Sequence, residues 1–264
     1  MMRKTITILL AALALSICAN AQNDIKDSLV EITIRHPYIP IPQWEHNVAL
    51  GIGTGASSPI PIPNRISEMS WTPRMCFLIG YDFSYRFWRM VGLKTGLQLK
   101  HVGMSAEAKV YQMFTQAIVD ESEVSGYFTG YNETVLHATY ISLPLQFSFY
   151  HKAWKFDAGL FAALKLQGHF SGAVKNGYIR IGDPTGEKVE VGYEPFDFSE
   201  FIAPFNYGLE ITATRNFSDR WSAWFDLSWA LNSTFKEAFR GLEYKMYNIY
   251  GLFGVGYLLK KTTK

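Results

Sequence analysis

Residues 155–167 read KFDAGLFAALKLQ. Phe156, Ala158, Leu160, Ala162, Leu164 and Leu166 take every second position, and Asp157, Gly159, Phe161, Ala163, Lys165 and Gln167 take the others. Side chains of a strand point alternately to its two faces, so this period of two predicts a strand with one apolar and one mixed face. Upstream, 140–150 reads YISLPLQFSFY and sets Ile141, Leu143, Leu145, Phe147 and Phe149 against Ser142, Gln146, Ser148 and Tyr150. Only His151-Lys152-Ala153-Trp154 joins the two, which predicts a tight hairpin. Residues 91–101, VGLKTGLQLKH, repeat the pattern with Val91, Leu93, Thr95, Leu97 and Leu99 on one face. Pro144 cannot donate a ladder bond, so a bulge is expected beside it.

The same alternation recurs at 46–56, 75–87, 201–215, 221–233 and 247–259, for eight strands in all. Trp224, Leu252 and Leu258 break it. Most of these strands have the roughly 9–11 residues that a tilted strand needs to cross a membrane. The connections alternate strictly in length. Those at 87–90, 151–154 and 216–220 are short, whereas 57–74, 101–139, 168–200 and 234–246 are long. A transmembrane barrel has short turns at one end and long loops at the other, and a soluble sandwich has no reason to sort them. The short turns carry Trp88, Trp154 and Trp221, residues suited to a membrane interface, where the ring buries while its N–H stays wet. The expected fold is therefore all-β: an eight-stranded antiparallel transmembrane β-barrel with short periplasmic turns and long extracellular loops.

The chain of 264 residues is 48% hydrophobic and 16% aromatic but only 18% charged, with a formal net charge of +2. That composition excludes a disordered chain and offers no basic field for nucleic acid. Residues 1–21 combine Arg3 and Lys4, a short apolar run and Ala19-Asn20-Ala21, the order of a cleavable signal peptide. The mature chain is then expected from Gln22, formally neutral, with Cys76 as its one cysteine and hence no internal disulfide. No later stretch reaches the ~18 apolar residues of a membrane helix. The expected organisation is a signal peptide over 1–21, a periplasmic arm over 22–45 with a short strand at 29–34, and the barrel over 46–264.

Eight strands enclose a space that side chains can fill. The expected inward charges are Asp82, Arg86, Lys94, Lys100, Asp157, Lys165, Glu210 and Asp226, four of each sign. A low-dielectric interior tolerates charge only when it is paired, so this balance predicts a plugged lumen.

The chain resembles the small outer-membrane β-barrel domain family of Gram-negative bacteria that includes PorT-like proteins. The resemblance covers roughly Trp44 to the C-terminus. It rests on Gly51 and Gly53 of the first strand, on Tyr140-Ile141-Ser142-Leu143-Pro144-Leu145, on Phe156-Asp157-Ala158-Gly159 and on the closing strand with Gly254, Tyr257 and Leu259. It implies outer-membrane lipid as surroundings and insertion by the barrel-assembly machinery, with no single activity and no cofactor.

The six histidines, His36, His46, His101, His137, His151 and His169, lack HExxH-type zinc spacing. His101 and His137 flank one long loop near Ser105, Glu107 and Ser142, which suggests a lipid A-modifying enzyme, but rim histidines are commonly structural. Gly51–Gly55 lacks the lysine and helix of a phosphate loop and reads as small residues against a crowded wall. The proline-rich stretches 37–42 and 59–63 read as stiff leaders, or as docking strips for a periplasmic or surface protein partner. Tyr111, Phe114, Tyr127, Phe128 and Tyr131 of the 101–139 loop suggest strands prolonged beyond the membrane, or a ligand surface. The expected function is non-enzymatic, a structural, assembly or surface-interaction role. A narrow channel for small or apolar solutes and the lipid A enzyme are the alternatives.

Overall fold

The computed structural model describes residues 42–119, 122–239, 241–242 and 244–263. The expected signal segment and the 29–34 strand lie outside the described residues. Among the described residues there are ten strands: β1 (Gln43–Pro59), β2 (Ile66–Pro73), β3 (Cys76–Arg86), β4 (Val91–Val119), β5 (Ser122–His151), β6 (Trp154–Ile181), β7 (Lys188–Asp197), β8 (Phe205–Asn216), β9 (Trp221–Ala230) and β10 (Met246–Thr263). All pair antiparallel in one sheet.

The pairings run β4-β3-β1-β10-β9-β8-β6-β5, and β5 pairs β4 again, so the path of hydrogen bonds closes through eight strands. The other two stand above neighbours on the same edge. β2 pairs Met104–Val110 of β4 where β3 has ended, and β7 pairs Ser171–Arg180 of β6 where β8 has ended. Segments 57–74 and 168–200, expected as loops, thus contain β2 and β7. Segment 101–139 is strand almost throughout. β4, β5 and β6 run 29, 30 and 28 residues, two to three times the length of β8 or β9. Polar, aromatic-spaced strands outside an apolar belt carry no clean alternation, which is why this sheet reads as loop. Its ladders bulge at Gln112 and near Asn176, both at positive φ, which adds local twist.

One face of the ring is buried and the other exposed, residue by residue. On β8, Phe205, Tyr207, Leu209 and Ile211 are exposed, whereas Asn206, Gly208, Glu210 and Thr212 are buried. Leu145, Leu160 and Phe253 are 57–58% exposed, an arrangement that water would penalise. Gln167, expected inward, is exposed, because a register shift between Thr139 and Tyr140 skips Leu166.

The alternation breaks where the interior has to be filled. Trp224 and Leu252 turn inward and pack with Ala49, Leu78, Tyr140 and Tyr250. Leu258 adjoins a bulge, since His46 pairs Lys260 while Asn47 pairs Leu258. The Trp224 indole lies against two glycines: a Cβ on Gly51 would fall 2.3 Å from its ring, and one on Gly254 would fall 2.7 Å away. The glycines of the first and last strands therefore make room for one large side chain.

No bulge lies at Pro144. Pro144 faces inward, and the β4–β5 ladder omits the rungs between Thr95↔Leu145 and Gln98↔Ser142 without changing register. Thr95 Oγ1 donates to the Pro144 carbonyl at 2.8 Å, so a side chain satisfies that carbonyl where the ladder is interrupted.

Gly51→Ala is expected to destabilise the fold by about 1–3 kcal/mol through overpacking. Trp224→Ala in the same chain should recover part of that loss. Urea titration of the detergent-folded protein, followed by circular dichroism, measures both.

Candidate functional site

Six of the eight charges expected inward converge inside the ring. Lys94 Nζ lies 3.5 Å from Asp82 Oδ2 and 3.8 Å from Asp157 Oδ2. Gln98 Nε2 donates to Asp82 Oδ1 at 3.0 Å, and Ser148 Oγ donates to Asp157 Oδ1 at 2.5 Å. Lys100 Nζ donates to Glu210 and lies 3.7 Å from Asp226 Oδ1. Thr212 Oγ1 donates to Asp226 Oδ2 at 3.0 Å, and Gln146 Nε2 reaches Glu210 Oε1 at 3.3 Å. These side chains come from β3, β4, β5, β6, β8 and β9, so the network spans the ring from wall to wall.

Lys155 is a seventh member that the sequence reading passed over. Its Nζ lies 3.6 Å from Asp157 Oδ2 and donates to Ser84 Oγ at 2.9 Å. The signal was present, since Lys155 shares the face of Asp157 two residues on. The remaining two expected charges stand apart. The Arg86 guanidinium lies over the Tyr150 ring at 4.2 Å near the short turns. Lys165 Nζ donates to the Ile202 carbonyl at 2.8 Å toward the long-loop end.

Little space remains around this network. A void of ≈ 60 Å³ touches Glu45, Asp82, Lys94, Lys155 and Trp224. A second, ≈ 30 Å³, lies among Lys100, Tyr140, Phe161, Asn206 and Tyr250. Both admit a few waters at most. At the long-loop end, Ile202 and Phe235 come from two different loops and bridge to one another. They pack with Met104, Leu136, Phe170 and Met246 from β4, β5, β6 and β10. Phe235 meets Phe170 edge-on at 4.8 Å, and Ser57 of β1 shares a 2.7 Å hydrogen bond with Thr234. Sequence reading missed this cap, because loop residues reveal no target without the register.

On the exposed face, Trp88, Trp154 and Trp221 all flank the short turns and are exposed. Trp154 stacks on Phe156 at 5.9 Å, and Trp221 meets Tyr257 at 4.9 Å. The opposite margin of the apolar face carries three histidines. His101 stacks between Phe77 (5.0 Å) and His137 (6.0 Å), and its Nδ1 shares a 3.0 Å hydrogen bond with Thr139. His137 and His169 are direct cross-strand partners. Ser142 faces the buried side of the sheet, away from these rings.

A Ser–His–Asp group does occur. Ser199 Oγ lies 3.0 Å from His169 Nδ1, and Asp197 Oδ2 lies 3.9 Å from the same nitrogen. A catalytic relay needs the nucleophile and the orienting acid on opposite nitrogens of the imidazole base, and here both stand at Nδ1. Ser199 also accepts from Phe170 N–H at 3.0 Å and donates its own N–H to Asp197 at 2.8 Å. The hydroxyl and N–H of Ser199 hold the Asp197 carboxyl below its usual range. The group closes a turn. Among the described residues, no cluster of three or more His, Cys, Asp or Glu is placed to hold a metal ion.

A family described as outer membrane protein beta-barrel domain matches residues 20–236. The chain belongs to this family. Membership in the outer membrane protein beta-barrel domain family places it in the outer membrane. A comparison with curated proteins finds no match. Among solved structures, Ail of Yersinia pestis, crystallised with the heparin analogue sucrose octasulfate, aligns over 84% of this chain and 99% of its own at 9% identity and TM-score 0.37. Neisserial surface protein A aligns over 81% and 96% at 9% identity and TM-score 0.30. The outer membrane protease OmpT of Escherichia coli aligns over 85% and 99% at 10% identity and TM-score 0.30.

Lys100→Met should destabilise this family member by about 3–5 kcal/mol, because Glu210 is left charged and buried. Lys100→Met with Glu210→Leu should regain most of that. Tryptophan fluorescence during urea unfolding in lipid vesicles reads both variants.

Proposed function

We propose that the closed path of strands is an eight-stranded transmembrane β-barrel that conducts nothing and acts by the surface it carries outside the cell. The observation that supports this most is the filled ring: an ionic layer in the middle and an aromatic cap at the long-loop end. A channel would need a continuous polar path, and the two voids are small and separated. The exposed apolar residues of the ring suit contact with lipid chains, and the tryptophans beside the short turns suit the periplasmic interface.

Above the apolar belt, β4, β5 and β6 continue with β2 and β7 as a five-stranded sheet. One side of it is packed on Val110, Met113 and Phe128. The other displays Lys109, Tyr131, Glu133, Lys175 and Tyr193. This wall suits a non-enzymatic surface-interaction or assembly role. In this reading residues 1–21 direct export, the residues from 22 up to the start of β1 at Gln43 reach into the periplasm, the barrel-assembly machinery inserts the strands, and the chain is of the PorT-like kind. The lipid A-modifying alternative gains nothing from the turn at Ser199, whose hydroxyl is already bound.

Two measurements test the reading. The mature protein should run faster unboiled than boiled on a denaturing gel, as folded barrels do. It should also show no stepwise conductance in a planar bilayer. Discrete openings would overturn the sealed lumen, and the absence of a heat shift would overturn the barrel.

A further inference from the structure

The exposed apolar columns of three adjacent strands end in the same residue type. On β4 the column runs Leu97, Leu99, His101. On β5 it runs Leu143, Ile141, Thr139, His137, and on β6 Leu164 and Leu166 give way to His169. On β8 and β9, Phe205, Tyr207 and Trp229 are exposed, with Phe205 the cross-strand partner of Leu164.

The arrangement of the histidines is built. Gly103 of β4 is the cross-strand partner of His137, and a Cβ there would fall 3.0 Å from His137 Nδ1 and 3.3 Å from Arg74 Cβ. The missing side chain lets the His137 ring lie across β4, with His101 stacked on it and Arg74 alongside. Arg74 is exposed and makes no ion pair among the described residues. The charged and titratable groups facing His137 are Arg74 ahead of β3, His101 on β4 and His169 on β6. Asp197 of β7 lies 3.9 Å from His169 Nδ1. Burial first, then these like charges, hold His137 below its usual 6.5. Arg74, His101 and His137 gather cationic and protonatable groups with Asp197, at His169, as the one carboxylate beside them, and such a set is complementary to an anion.

The height of the cluster selects the anion. It faces outward, one same-face step beyond Leu99 on β4 and, past Thr139 and Gln167, just beyond Ile141 on β5 and Leu166 on β6, at the end of the apolar columns. We propose that Arg74, His101, His137 and His169 bind a phosphate monoester of a lipid headgroup in the outer leaflet. The inference rests on the transmembrane reading above. Bound phosphate brings negative charge to His137 and favours its protonated form, so binding takes up a proton. Affinity is then greater at pH 6 than at pH 8.

The full chain, reconstituted in phosphatidylcholine vesicles, tests this with three probes: bisphosphorylated lipid A, the same lipid with its phosphates removed, and inorganic phosphate in the buffer. Native mass spectrometry of re-extracted protein reads the retained lipid. Retention of the phosphorylated lipid should exceed that of the dephosphorylated lipid by about tenfold at pH 6, and the preference should shrink severalfold at pH 8. His101→Gln, His137→Gln and His169→Gln together should abolish the preference. Arg74→Gln alone, at an exposed position, should weaken it and serves if the triple variant does not fold. Equal retention of the two lipids, an unchanged preference in Arg74→Gln, or displacement by millimolar inorganic phosphate would overturn the site. Failure of the wild-type chain to float with any vesicle would instead overturn the membrane reading, and the site with it.

Discussion

A strand surrounded by hydrocarbon has no water to satisfy its N–H and C=O groups, so both of its edges must find a neighbour. The return pairing of β5 onto β4 meets that demand. It removes the last open edge at the level of the apolar belt, and most other features of the chain follow from it. A closed wall has an outside that must be apolar and an inside that must be filled. Above the belt the demand lapses, and there β2 and β7 are free to be edge strands of an open sheet.

Filling the inside explains most departures from regular patterning. Trp224 and Leu252 are inward apolar residues among polar neighbours, and Gly51 and Gly254 are the space that Trp224 occupies. Lys100 cannot remain charged there without Glu210 and Asp226, nor Asp157 without Lys94 and Lys155. The same need accounts for Ile202 and Phe235, which close the end that the ions leave open.

The period of two at 155–167 and its neighbours was legible because lipid and lumen impose opposite chemistry on successive residues. That contrast made six of the inward charges readable as a set. Where it disappears, so does legibility. The upper halves of β4, β5 and β6 stand in water on one side, and their residues carry no strict alternation, so 101–139 reads as a loop. Lys155, at a strand start, was legible only through the face it shares with Asp157. Arg86 and Lys165 were read onto the inward face but not to its ends, since their height depends on register. Pro144 shows the same limit: a proline signals a disturbed ladder, but not that Thr95 would take the free carbonyl.

An ionic interior is a costly way to fill a ring, because apolar side chains of similar volume would often be as stable or more so. The physical return lies in direction. A slip of one residue between two strands would turn every side chain to the other face. If both faces were apolar, such a slip would cost little. With Asp157, Lys94, Glu210 and Lys100 on one face and leucines on the other, it would place charges in lipid. The network therefore penalises every odd-numbered slip of β3, β4, β6 and β8. The tall sheet above inherits its register from that layer, and so does the pairing of His137 with His169.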